Sequence, residues 1–448
     1  MTLLLVPHAA GAQDVPALKR ELETMRRQFE SLTQQYERRI QELAERLQAL
    51  ESQRTRPAPP PVAPGAAPAA EPSAPASTPA RAPTLWELAT PRQPFALAQP
   101  GRPLLFDIGV SGDFVADFTS TASERRRDGT FDGRENRLFP RELSVGFFGR
   151  VDPYASATLR ITGAEEPADD GSRSTEVTAA LEEATVTLLT LPLGTTARFG
   201  LMRPRFGTLN VVHEDDLPQV DRPSVLARFF GEEQLNGERG LEAMWLLPTP
   251  FYQELSLGVF DGDNETAFGR GSLRDPLVLG RLRSFLELDE RGGLQLDLSG
   301  ATGPTSEDRR NTLAGLGLKY KLAPLVGYGF PVLTLAGEAL YGNRAFLVES
   351  EDGESSTDRR ESWGYYLYGQ YDWTKRWAAG LRYDWTELPT ASGHEWALAP
   401  YLQFKPSEFL RFRVQYKHTD GAGAAQREAD EIFLQGTFIL GAHPTERF

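Results

Sequence analysis

The chain has 448 residues, no cysteine and a formal net charge of −14. That length accommodates one large domain with accessory segments. The acidic balance excludes a nucleic-acid partner, because such binders display a basic face, and the missing cysteines exclude disulfides and thiolate chemistry.

At the start, Leu3-Leu4-Leu5-Val6 is a short apolar run, and Ala10-Gly11-Ala12 before Gln13 reads as a small-residue cleavage site. Residues 1–12 are therefore expected to be the remnant of a secretory signal peptide, with the basic start lying upstream. Residues 13–55 follow. There Val15, Leu18, Leu22, Met25, Phe29, Leu32, Tyr36, Ile40, Leu43, Leu47 and Leu50 fall in alternating steps of three and four, the heptad spacing of a coiled coil. Two steps of four at Leu32-Tyr36-Ile40 make a stutter that locally unwinds the supercoil. A seam this narrow is not buried by one helix, so self-association is expected, with three chains favoured; the alternative is a lone amphipathic helix packed on a neighbouring surface. Residues 56–83 are rich in proline and alanine. Such a tract builds no core and is expected to be extended, a stiff spacer of roughly 85 Å at ~3.1 Å per residue.

Residues 84–448 have another texture. Apolar and polar residues alternate with period two, the mark of strands with one oily and one wet face. Trp377, Ala379, Leu381, Tyr383 and Trp385 share one face while Gly380, Arg382 and Asp384 share the other; Leu410, Phe412, Val414 and Tyr416 oppose Arg411, Arg413, Gln415 and Lys417. The pattern predicts sixteen strands, near 104–120, 138–150, 153–163, 176–190, 195–203, 237–247, 250–261, 277–290, 293–303, 311–323, 330–342, 361–374, 376–388, 393–405, 408–420 and 430–441. No stretch reaches the roughly 18 apolar residues of a membrane-spanning helix, but strands that alternate leave no such signal.

The connections sort into two classes. Short turns such as Val151-Asp152-Pro153, Pro248-Thr249-Pro250 and Thr374-Lys375-Arg376 alternate with longer polar loops at 121–137, 164–175, 204–236, 261–276, 304–310, 343–360, 389–392 and 421–429. A transmembrane barrel with short periplasmic turns and long external loops is built this way. The faces agree: arginine, aspartate, glutamine and glutamate recur on the presumptive inner face, too many charges for a dry core. Trp363, Trp373, Trp377, Tyr383 and Trp385 gather at strand ends, as in an interfacial girdle. The expected architecture is thus an all-β transmembrane barrel of about sixteen antiparallel strands, with an N-terminal α-helical coiled coil on a Pro-rich linker. It would sit in a bacterial outer membrane with the helix in the periplasm.

Four stretches carry a family resemblance: Arg141-Glu-Leu-Ser-Val-Gly-Phe-Phe-Gly-Arg-Val-Asp-Pro-Tyr154, Leu181-Glu-Glu-Ala-Thr-Val186, Gly200-Leu-Met-Arg-Pro-Arg-Phe-Gly207, and the closing Phe438-Ile-Leu-Gly-Ala-His-Pro-Thr-Glu-Arg-Phe448. In this order they resemble the phosphate-selective porin O and P family of outer-membrane channels over residues 105–448. The resemblance implies a sixteen-stranded barrel, usually trimeric, with a loop folded into the pore, and it makes Phe448 the residue read by the barrel-assembly machinery. Pro444 and Glu446 replace the apolar residues common before that phenylalanine, so the last strand is expected to end near Gly441. One departure concerns the solute. The chain has six lysines, and from position 84 onward 38 basic residues face 53 acidic ones, which speaks against phosphate selectivity.

The longest loop, 204–236, is the third external one, the loop that commonly narrows sixteen-stranded porins. Arg203 at its base and Arg205, His213, Glu214, Asp215, Asp216, Asp221, Arg222, Arg228, Glu232 and Glu233 are therefore expected to form the constriction, where opposed charges select by sign and size. Arg382, Asp384, Arg411, Arg413 and Lys417 are expected to line the pore. His213-Glu214-Asp215-Asp216 places imidazole and carboxylates in one run, but a single histidine among loop acids reads as solvated, and neither a metal nor a cofactor is expected. Histidine is scarce and no Gly-x-Ser-x-Gly occurs, so a barrel hydrolase is not expected. The rival to a passive channel for small hydrophilic solutes is a structural anchor, whose coiled coil reaches a cell-wall or periplasmic partner.

Overall fold

A computed structural model of the protein describes residues 106–441, apart from 121–135, 168–174, 232–233, 265, 270, 289–290, 306–307, 324–328, 350–354 and 426–427. The signal-peptide, coiled-coil and linker readings, and Phe448, lie outside the described residues.

Among the described residues, sixteen strands occur. The first eight are β1 (Phe106–Thr119), β2 (Arg137–Asp152), β3 (Ala155–Pro167), β4 (Thr175–Leu188), β5 (Thr195–Met202), β6 (Glu238–Leu246), β7 (Tyr252–Phe260) and β8 (Leu277–Glu287). The second eight are β9 (Gly292–Pro304), β10 (Arg310–Leu322), β11 (Val332–Glu349), β12 (Ser355–Asp372), β13 (Trp377–Glu387), β14 (Gly393–Ser407), β15 (Leu410–Gly423) and β16 (Glu428–Gly441). Each pairs antiparallel with its neighbours in sequence, and β1 pairs with β16, so the sheet closes on itself and leaves no free edge. One helix, α1 (Ser224–Phe230), lies in the long segment between β5 and β6.

The alternation read from the sequence becomes an alternation of burial. On β15, Phe412 and Val414 are 45% and 49% exposed, whereas Arg413 and Lys417 are 4% and 1% exposed. On β13, Leu381 is exposed while Arg382 and Asp384 are fully buried. This inverts a water-soluble barrel, which buries its oil. An apolar outer surface that continues from strand to strand needs an apolar surround. Aromatic rings tile it: Trp363 and Trp385 lie 4.9 Å apart, and Trp377 and Phe404 4.5 Å apart. Short turns are held by their own side chains. Asp152 Oδ1 accepts from the amides of Tyr154 (2.7 Å) and Ala155 (2.8 Å), and Thr374 Oγ1 accepts from the Trp377 amide (3.1 Å).

The expected loop 343–360 is mostly strand. The β11–β12 ladder runs on to Glu349 opposite Ser355, through Arg344 opposite Arg360 and Phe346 opposite Asp358. The regular alternation stops at Asn343, but backbone pairing does not: Asn343-Arg344-Ala345-Phe346-Leu347 continues opposite Thr357-Asp358-Arg359-Arg360-Glu361. Pairing likewise carries β15 to Gly423 and starts β16 at Glu428, shortening the expected 421–429 loop.

Candidate functional site

The segment from Arg203 to Gly237 is bound to the barrel wall over most of its length. α1 has the sequence SVLARFF, apolar on nearly every side, and such a helix must be covered all round. Val225, Leu226, Phe229 and Phe230 share one buried cluster with Phe206, with Phe260 on β7, Leu277 and Leu279 on β8, Leu313 on β10, Leu340 on β11 and Tyr366 on β12. Nearby, Thr208 Oγ1 lies 3.0 Å from Glu338 on β11 and 2.8 Å from the Tyr366 hydroxyl. Gly207 has φ +59°, and a Cβ there would overlap the Glu338 carboxylate, so only glycine lets the chain pass this close. Asn210 staples the segment to itself, donating to Pro204 O (2.9 Å) and accepting from the Leu235 amide (3.0 Å).

Elsewhere the same segment is held by charge. Asp221, 2% exposed, accepts from Arg382 Nη2 on β13 (3.0 Å), Lys417 Nζ on β15 (2.8 Å) and Gln415 Nε2 (2.5 Å). Burial alone would push its carboxyl up, but the Arg382 guanidinium and the Lys417 ammonium outweigh it and hold Asp221 well below the usual carboxylate range. Arg382 also reaches Asp384 at 3.0 Å. Arg228 makes a two-pronged pair with Glu395 on β14, at 3.1 and 2.6 Å. Arg205 and Arg198 converge on Glu242 of β6 at 2.5 and 2.7 Å. Arg203 grips Glu182 on β4 at 2.6 Å, and His213 Nδ1 lies 3.2 Å from the same oxygen. Burial pushes the His213 imidazole down from its ordinary value. Arg222 closes the segment internally on Glu214 (2.6 Å), Leu209 O and Val212 O. Arg141 of β2 pairs with Asp113 of β1 at 2.7 Å and donates to the Val220 carbonyl.

At the short-turn end of the barrel lies a cavity of about 540 Å³. Lys319, Lys321, Lys405, Arg411 and Arg413 line it, against the acids Asp216 and Glu408. The excess of positive charge stands out in a region where acids outnumber bases.

Of the expected constriction residues, Arg203, Arg205, His213, Asp221 and Arg228 each meet a wall residue, while Glu214 and Arg222 meet each other. Asp215 is buried, with its carbonyl taking a bond from Arg411, and Asp216 faces the cavity. Glu232 and Glu233 lie outside the described residues. Among the expected lining residues, Arg411 and Arg413 face the cavity, whereas Arg382, Asp384 and Lys417 are buried beneath the segment. The wall partners Glu182, Glu242, Glu338 and Glu395 were not singled out from sequence. Each sits among ordinary strand residues, and only the ring closure brings it to a residue tens to hundreds of positions away.

The fold is the closed sixteen-strand antiparallel barrel of porins. A structure of Salmonella typhi OmpF in complex with daunomycin superposes with a TM-score of 0.50 at 10% identity, covering 75% of this chain and 98% of that one. Pseudomonas putida OprB gives a TM-score of 0.49 at 10% identity over 75% of this chain and 94% of its own, and the anion-selective porin of Comamonas acidovorans 0.46 at 11% over 75% and 98%. In sequence, an uncharacterized protein of Aquifex aeolicus (strain VF5) is 28% identical over 346 residues, 67% of this chain and 68% of its own length. No protein-family model matches the chain.

Proposed function

We propose that the protein is a porin of a bacterial outer membrane, through which small hydrophilic solutes pass by passive diffusion. The observation that carries this reading is the inversion of burial: apolar rows outside a closed ring and charged rows inside. A bilayer is the surround that such an outer surface fits, and a charged inner face suits water. The segment 203–237 contacts inner-face side chains on β2, β4, β6, β9, β11, β13, β14 and β15. On our reading it is the third loop folded into the lumen, and it narrows the channel. Because its charges are mostly neutralised in pairs, the sign of the preferred solute is set at the lysine-lined cavity, and anions are favoured there. The four resembling stretches and this cavity together support kinship with the phosphate-selective porin O and P channels, and with it a homotrimer that enters the membrane through the barrel-assembly machinery.

Reversal potentials across planar bilayers in asymmetric KCl test the reading. Ohmic channels with anion preference are expected, and Lys319→Glu with Lys321→Glu should shift the reversal potential toward cations. A purified, folded protein that forms no channels would overturn it. The heptads of 14–55 favour an added role as an envelope tether. Deleting 13–83 should then weaken the envelope while leaving single-channel conductance unchanged.

A further inference from the structure

Two strands break the alternation at neighbouring places. Along β1–β2, Asp113 stands opposite Glu142 but Phe114 opposite Pro140, so Arg141 is an extra residue. Along β3–β4, Arg160 stands opposite Glu183 but Ile161 opposite Leu181, so Glu182 is extra. Such bulges turn consecutive side chains to one face and re-aim them. Here Arg141 and Glu142 are both buried, and the carboxylates of Glu142 and Glu182 are brought together, 6% and 4% exposed. His213 comes to them from the loop: one ligating atom from each of Glu142, Glu182 and His213 lies within 4.8 Å of the other two.

This cluster is under-bonded. Glu142 Oε1 and Glu182 Oε2 are buried without a hydrogen-bond partner. Arg160 stands 3.7 Å from Glu142, beyond hydrogen-bond reach, and Arg203 takes the other oxygen of Glu182. Around Glu142 the charges are the carboxylates of Glu182, Asp215 and Glu214 against the Arg160 guanidinium. Buried carboxylate oxygens left unsatisfied are rare and call for an ion, a proton or a water.

We propose that Glu142, Glu182 and His213 form a binding site for a divalent transition-metal cation of the zinc type. One imidazole nitrogen and two carboxylate oxygens suit such ions, whereas calcium prefers six to eight oxygens and magnesium keeps most of its waters. Bonds of about 2.0–2.2 Å require the three side chains to draw inward, and water completes the shell from the partly exposed His213 side. Since β2 and β4 supply the carboxylates and the loop supplies the imidazole, the ion clasps the first half of the loop to the wall. The site does not depend on the transport reading.

The test uses the full-length protein in detergent, stripped with chelator and titrated with zinc chloride alone by calorimetry, and with cobalt chloride alone by visible absorption. Expected are about one equivalent per chain, a low-coordinate cobalt spectrum, and affinity lowered by about tenfold or more in His213→Ala, Glu142→Gln and Glu182→Gln. His213→Ala lies off the strands, so it reports even where a strand variant fails to fold. Absence of uptake at millimolar metal, or uptake unchanged in His213→Ala, would overturn the site; in the first case a proton or water serves the two carboxylates. Because metal uptake is read without any current, this outcome is independent of the bilayer recordings.

Discussion

The long loop is held in two ways. Toward β7–β12 it is held by oil: α1 and Phe206 sit in a cluster with Phe260, Leu277, Leu279, Leu313 and Leu340. Toward β13–β15, and again at β4, it is held by charge, through Asp221 with Arg382 and Lys417, Arg228 with Glu395, and Arg203 with Glu182, while at β1 and β2 Val220 packs in a small apolar cluster with Val115 and Phe139. The difference has consequences. Apolar contact is non-directional and does not depend on a carboxylate or ammonium staying charged, so its hold on the loop varies little with pH. Buried pairs are directional, and each is only as good as its completeness, because a lone buried charge is worse than none. The apolar side acts as a seat, and the ionic side sets the register.

Breaking the ionic side should have the largest effect. Asp221→Ala leaves Arg382 and Lys417 buried without their shared acid and should cost about 3–5 kcal/mol in denaturant or thermal unfolding. Arg382→Met with Lys417→Met in the same background should restore much of that loss by removing the stranded charges. Breaking the apolar side comes next. Leu226→Ala should cost about 3 kcal/mol, and, unlike Asp221→Ala, should leave the selectivity of the channel unchanged in bilayer recordings. The smallest effect is that of pH. The Asp221 carboxyl is held well below its ordinary value, so its contribution is complete above the unfolded carboxylate range near pH ~4 and is lost only as pH falls through the depressed value. Limited proteolysis of the loop should therefore be flat from pH 7.5 to 5. A loss of protection in that window would mean that other groups anchor it.

Much of the barrel was legible before any coordinates, because strand alternation is a local signal. Each of the sixteen strands overlaps its expected stretch, although β2, β3, β11, β12 and β15 run beyond it at one end or both, and β16 ends at Gly441 as anticipated. Three things were not legible. The bulges at Arg141 and Glu182 exist only relative to a partner strand, and in one sequence they look like ordinary lapses of alternation. α1 is seven residues long with no polar face, and a periodicity argument passes over it. The partners of the loop charges are set by ring closure: Asp221 and Lys417 are 196 positions apart. Charge type in the loop was therefore readable, but pairing was not.

On the porin reading, the apolar rows face outward to lipid and the charged rows face inward to water. Since the chain has no cysteine, single cysteines can be placed cleanly and given a fluorescent label in protein reconstituted into vesicles. Labels at Leu381→Cys and Val414→Cys should be quenched by brominated lipid and spared by iodide, and labels at Lys319→Cys and Gln403→Cys should show the reverse. Iodide quenching at Leu381 and Val414, with lipid quenching at Lys319 and Gln403, would contradict the account at its root.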